Sequence, residues 1–320
     1  MISQRVGHAG IVGVTGGTGF VGRALIRDLL HSGYGVMIVT RDPERFRRTV
    51  PAGAGVGEVE VCGWDVLMDR ARRKRVETWV HLAGEPIAGR RWSKRQKEAI
   101  LRSRAESTRR VVEVLSSAQV PGGGRPVLVS ASAVGFYGTS ETAVFTEEDP
   151  GGDDFLATVV KMWEEEALRA EKFGARVVRV RLGVVLGREG GALPRMVFPY
   201  RLGIGGRIGT GRQWVSWVHL ADAVGLFRFA IERPVQGAVN AVSPNPVTME
   251  TFGRTLARVL GRPYRVPVPG AALRVVFGEG ADVLLRGQRV LPKRAEQWGY
   301  VFRHPDLEGA LADIFKGGER

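Results

Sequence analysis

A chain of 320 residues with 44% hydrophobic and 25% charged content has the make-up of a soluble globular protein, long enough for one large or two coupled domains. No stretch approaches a membrane span, the first residues lack a signal peptide's apolar core, and a single cysteine, Cys62, excludes an internal disulfide, so a reducing cytoplasm is expected. The formal charge of +14 comes mostly from Arg spread along the chain, densest at residues 70–75; without interleaved aromatics it reads as a solvated surface, not a nucleic-acid face.

After a short extension (residues 1–9, expected to be mobile), residues 11–14 form a β-branched apolar run of the buried parallel-strand type. Residues 15–22, TGGTGFVG, then turn into a helix with Val21, Leu25, Ile26, Leu29 and Leu30 at helical spacing, closed by Ser32-Gly33. The glycines fall at intervals of three. Gly16 permits a tight turn, Gly19 lets backbone approach a pyrophosphate, and Gly22 lets the helix pack closely. Bare amides at the helix start, with the positive end of its dipole, would hold that pyrophosphate. A second strand, 36–40, follows, and Arg41 stands where the adenosine ribose would lie. An acidic residue there would bind a 2′-hydroxyl, whereas Arg41 suits a 2′-phosphate, which favours NADP(H) over NAD(H).

Residues 56–62 and 78–82 read as further strands, the second opening into the small-residue turn Ala83-Gly84. A helix is expected over 93–119, a loop at 121–124, a strand at 126–130, and then SASAVGFYG with Ser132 and Tyr137. An acidic loop around Glu147 precedes a helix over 155–173, whose buried stripe is Leu156, Val159, Val160, Trp163 and Ala167. A buried strand at 175–182 carries Arg179 and Arg181 between valines. Residues 187–211 form a Gly-rich loop suited to covering a substrate, Asp222 is placed to cap the next helix, and 249–260 is helical. The five His show no metal-ligand spacing, so no metal is expected, and His81 reads as a satisfied core residue.

These stretches, with HLAGEPIAGRRW, SRAEST, RLGVVLGREGGALPRM, GIGGRIGTGRQWVSWVH and GQRVLPKRAEQWGY, make the chain resemble the extended short-chain dehydrogenase/reductases. Within them it resembles the atypical epimerase-family subgroup, NAD-dependent epimerase/dehydratase-like, with a small C-terminal domain of unassigned role. The resemblance implies an α/β fold: a Rossmann-type doubly wound parallel sheet over residues 10–186, with parts of 212–242 returning to it, and a smaller C-terminal α/β substrate lobe over 187–320. It implies NADP(H) contacts at Gly16, Thr18, Gly19, Phe20, Val21, Gly22, Thr40, Arg41, Leu82, Ala83, Gly84, Arg104, Ser130 and Val185. Ser132 matches the active-site Ser, and the substrate would lie near Tyr137, Gln213, Trp217 and His219. A homodimer through the 155–173 helix follows by analogy.

The superfamily's acid/base is a Tyr four residues before a Lys. Lys161 matches the Lys, but the residue four before it is Ala157, and a methyl group moves no proton. Tyr137 is the candidate substitute, ahead of the Glu147 loop. Three readings follow: an NADP(H)-dependent oxidoreductase, epimerase or dehydratase on a small or nucleotide-linked substrate; a non-catalytic NADP(H)-binding sensor or scaffold; and, least favoured, a nucleic-acid-associated protein.

Overall fold

In the computed structural model the residues described are 9–47, 58–69, 76–87, 91–117 and 124–316. The basic run at 70–75 and nearly all of the N-terminal extension lie outside them. The β-branched runs build seven parallel strands: β1 (Ala9–Thr15), β2 (Tyr34–Val39), β3 (Val59–Cys62), β4 (Thr78–His81), β5 (Val127–Ala133), β6 (Arg176–Leu182) and β7 (Gly237–Ala241). Their order across the sheet is β7-β6-β5-β4-β1-β2-β3. Strand order therefore reverses between β1 and β4, and ligands of open α/β sheets bind at the carboxyl ends beside such a reversal.

The helices of eight residues or more among the described residues are α1 (Phe20–His31), α2 (Lys94–Ser116), α3 (Phe155–Leu168), α4 (Leu193–Arg201), α5 (Leu220–Glu232), α6 (Met249–Leu260), α7 (Gly270–Phe277) and α8 (Leu307–Lys316). α1 packs beside α5, and α2 beside α3. One apolar core joins Val12, Val14, Leu25 and Leu29 to Phe227; a second joins Met37, Trp79, Val111 and Leu115 to Val177. Trp79 lies across β1 so closely that a Cβ on Gly13, its register partner, would sit 2.4 Å from the indole. Among the described residues no helix is long and apolar enough to cross a membrane.

The C-terminal part of the chain has a core of its own. Leu193 and Val197 of α4, Phe252 and Leu256 of α6 and Leu311 of α8 pack around Trp217. The 187–211 stretch is not loop throughout, since α4 (Leu193–Arg201) lies within it. The 155–173 helix is α-helical only to Leu168; Arg169–Phe173 tightens into a 3₁₀ turn closed by Gly174 at φ +78°. Asp222 does not cap α5, since His219 does so through Nδ1, which accepts from the Ala221 amide at 3.1 Å. The buried Asp222 carboxylate instead accepts from the amides of Arg303 (2.8 Å) and His304 (2.9 Å), pinning the C-terminal segment to the sheet domain.

Candidate nucleotide groove and adjoining cleft

At the strand reversal the turn after β1 lies against the chain leaving β4. Gly16 has φ +72°, a conformation L side chains avoid, and a Cβ there would lie 2.6 Å from the Leu82 carbonyl carbon. Gly22 is fixed by space instead: its Cβ would fall 2.4 Å from the Gly16 oxygen. The Gly19 amide donates to that oxygen at 2.9 Å, and Arg23 Nε donates to Thr18 O at 2.9 Å, so the turn is braced from behind. No side chain caps α1, and the amides of its first turn, Phe20 to Gly22, have no acceptor within the helix. That is the arrangement of an anion site.

The groove running from this turn encloses about 490 Å³ and is lined by Gly16, Thr18, Gly19, Thr40, Arg41, Leu82, Ala83 and Gly84, with Trp64, Ser103, Ser107 and Arg110 facing them. Arg110 lies 5.9 Å from the Trp64 ring. The side chains of the other residues named for the cofactor are not part of this lining. Phe20 turns its ring beneath Gly187, Gly190 and Gly191, Val185 sits beside that loop, and Val21 packs on the core. Ser130 is buried on β5, its hydroxyl donating to Ala131 O.

Arg104 is also buried, below the groove. Its Nη1 donates to Glu85 O (3.0 Å) and Ile100 O (3.1 Å), its guanidinium lies 5.0 Å from the Trp163 ring, and burial pushes its pKa down to about 10. It therefore holds the Ala83–Glu85 turn in place from underneath. His81 beside it is fully buried between Thr15 Oγ1 (2.7 Å to Nδ1) and Thr108 Oγ1 (3.0 Å to Nε2). Burial, then the Arg104 charge, lowers its pKa to about 3. The ring resonances of His81 are accordingly expected not to move in an NMR titration from pH 8 to pH 5; a midpoint in that range would contradict the buried neutral ring.

Beyond the groove a cleft of about 260 Å³ opens between the end of β5, the start of α3, α4 and residues 282–288. Leu156 and Val160 are the α3 residues that line it along with the cap Asp154. Ala157, one position round the helix, is wholly buried, and the Lys161 stem runs past Gly151 without lining the cleft.

Ser132 and Tyr137 do not face the cleft either; both belong to a buried polar chain. Ser132 Oγ donates to Glu164 Oε1 at 2.6 Å. Glu164 accepts from Arg181 Nε (2.7 Å) and Nη2 (2.9 Å) and from Arg179 Nη1 (2.8 Å). Arg181 Nη1 donates to the Tyr137 hydroxyl (2.9 Å), which donates to Asn240 Oδ1 (2.7 Å), and the Asn240 amide donates to Glu147 Oε1 (2.8 Å). Burial pushes the Tyr137 phenol up to about 12, outweighing the Arg181 charge beside it. Burial also pulls Glu164 upward, but the bonds and charge of Arg181, then Arg179 and Ser132, hold it below the usual carboxylate range. Burial raises Glu147, whose Oε2 accepts from the Arg294 amide. A hydroxyl with both partners filled and so high a pKa is poorly suited to exchanging protons near neutrality.

Gln213, Trp217 and His219, expected near substrate, are core residues. Gln213 donates to Ile208 O and Leu284 O, and Trp217 Nε1 donates to Asn245 O. His219 lies against His304 with ring centres 3.9 Å apart and planes tilted by 38°, its Nε2 3.4 Å from Asp313 Oδ2. These three could converge on a metal ion. The helix cap on Nδ1, however, leaves the neutral ring's proton on Nε2, the nitrogen that would have to ligate. Burial, then His304, lowers the His219 pKa to about 4, so the ring is neutral at pH 7.

Residues 12–242 match the profile of the NAD-dependent epimerase/dehydratase family, and residues 268–314 match a domain of unknown function, DUF1731. The chain belongs to the NAD-dependent epimerase/dehydratase family. Within that family it is 41% identical over 309 residues to the chloroplastic epimerase family protein SDR39U1 homolog of Arabidopsis thaliana, covering 95% of this chain and 86% of that one. It is 40% identical over 308 residues to epimerase family protein YfhF of Bacillus subtilis, covering 95% and 97%. Among solved structures, human epimerase family protein SDR39U1 with NADPH superposes with a TM-score of 0.83 at 36% identity, covering 96% of this chain and 99% of that chain. The Rossmann-like seven-strand sheet lies almost entirely within the first match, and α7, which buries no residue, lies within the second.

Proposed function

We propose that this protein binds NADP(H) in the groove and works as an NADP(H)-dependent, epimerase-like oxidoreductase on a small molecule held in the adjoining cleft. The observation that carries this is the cradle at the strand reversal: bare amides at the start of α1, a turn with no room for a Cβ at Gly16 or Gly22, and the guanidiniums of Arg41 and Arg110 along the same groove. The bound, reduced nicotinamide would supply a hydride. Groove and cleft adjoin, since Pro86 lines the first and Ile87 the second. The similar human protein's structure with NADPH supports the same nucleotide here. The roles of the chain's own residues follow from their placement: α1 amides grip phosphates, Arg104 holds the Ala83–Glu85 turn, His81 ties the end of β1 to α2, and the Ser132–Glu164–Arg181–Tyr137 chain fixes β5, β6 and α3 beneath the cleft.

Calorimetric titration with NADPH and NADH tests the reading. NADPH should bind more tightly, and Arg41→Ala should raise its Kd by about 10- to 150-fold, the loss of one hydrogen bond to a charged group, while leaving NADH within about twofold. Equal affinities in the unmodified protein would remove the role given to Arg41. No saturation by either nucleotide would remove the function. A second reading, a nucleotide binder without turnover, is favoured by one observation: the cleft-facing pair on α3 is Leu156 and Val160, with no phenol.

A further inference from the structure

Resting on the NADP(H) reading, we infer that the cleft takes a small, flat, mostly apolar conjugated dicarbonyl of the quinone class, a substrate that needs no proton from the protein, and not a nucleotide-linked sugar. Its walls are apolar: Val134, Leu156, Val160, Met196, Trp214 and Met249. Thioethers and an indole favour contact with a flat π-system. At about 260 Å³ the space lies just below the usual size range of ligand pockets, roughly 300–1,000 Å³, and so suits a small ligand.

The charges lining the cleft also argue against a diphosphate. They are Asp154, Asp282 and Arg286. Asp154 accepts from the Ala157 amide at 2.8 Å as the α3 cap, and Arg286 Nε lies 3.6 Å from Asp282. The lining therefore carries one guanidinium against two carboxylates, and a diphosphate brought into it would be buried without compensating charge.

The cleft lining holds no phenol and no imidazole. Ser216 Oγ donates to Gln288 O (2.8 Å) and accepts from the Val290 amide (2.9 Å), which leaves the side chains of Thr139 and Gln288, beside the three charged groups, as hydrogen-bonding ends. Reduction of an ordinary ketone makes an alkoxide, whose parent alcohol is about as weak an acid as water, with pKa ~15.7. Reduction of a quinone makes the anion of a phenol, and phenols ionise near pH ~10. The second anion is easier to form by roughly six powers of ten, so it can leave the site and take its proton from water. In balance, the quinone gains a hydride from the reduced nicotinamide and one proton from water and becomes the hydroquinone, while NADPH becomes NADP⁺.

The test uses the full chain and 2-methyl-1,4-naphthoquinone, with binding read by calorimetry independently of turnover. The single cysteine is buried, which keeps thiol addition out of the signal. Saturable heat is expected. Val160→Asp should weaken quinone binding by at least about tenfold, because a carboxylate would face the apolar walls, with the NADPH Kd unchanged. Met196→Ala, which carries less risk to folding, should weaken it measurably in the same direction. Turnover with the quinone should exceed that with an aliphatic ketone of similar size and stay flat with pH near neutrality. Protein that binds NADPH yet shows no saturable quinone heat, variants that leave quinone binding unchanged, or UDP-glucose competing for the cleft would each overturn the substrate inference. Absence of NADPH binding would overturn the nucleotide reading instead.

Discussion

Glu164→Leu is expected to cost the fold about 3–5 kcal/mol, the usual penalty for removing one partner of a buried ion pair. The carboxylate is 4% exposed and faces two guanidiniums, of which Arg181 is equally buried. Without it, Arg181 keeps only the neutral Tyr137 hydroxyl and the Phe136 ring 3.5 Å away. The double variant Glu164→Leu/Arg181→Met should recover most of the loss, since apolar residues of similar volume replace a buried pair at little cost. Urea denaturation of the four species of this cycle measures the coupling, and two single effects that simply add would refute a shared network. The pH dependence has a definite sign. Because Glu164 is held below its ordinary value of 4.5, its contribution is fully present above about pH 4.5 and is lost as pH falls through the folded value. The acid limb of the stability curve should therefore be shallower in Glu164→Leu than in the unmodified protein.

That network is also where the sequence was hardest to read. The first βα unit was legible because its signals are local: glycines at fixed offsets, a strand before them, and an apolar stripe at helical spacing after them. Arg179 and Arg181 within a valine strand were a visible signal of another kind, since a charge on a buried strand requires a partner. The partner lies in the run Glu164-Glu165-Glu166, which looks like a solvated face; yet Glu164 and Glu166 are 4% and 6% exposed, each with Arg on it. Pairings such as Tyr137 with Asn240, 103 residues apart, leave no periodic trace. Ser132 lies off the cleft lining because of strand geometry. It shares a face of β5 with Ser130, and that face meets α3 at Glu164, two turns beyond Ala157. His219, which the resemblance puts near substrate, caps a helix, because it sits where a strand ends and α5 begins.

Gly22→Ala is expected to raise the NADPH Kd by at least about tenfold while the protein remains folded. The added methyl carbon would lie 2.4 Å from the Gly16 oxygen and 2.8 Å from the Gly17 Cα, both backbone atoms, so the turn or the first residues of α1 must move. The phosphate grip depends on those amides, and losing one or two hydrogen bonds to a charged group costs about 1.5–3 kcal/mol each, one to two powers of ten apiece. Gly33→Ala supplies the control. Gly33 has φ +83° with nothing within 4 Å of an added Cβ, and it lies at the opposite end of α1. It should lower stability by about 1 kcal/mol through backbone strain and leave NADPH affinity unchanged. Calorimetry on both variants, with thermal unfolding to show that each is folded, separates a defect in the grip from general destabilisation. If the two lose affinity equally, the close approach at Gly22 has no special part in holding the nucleotide.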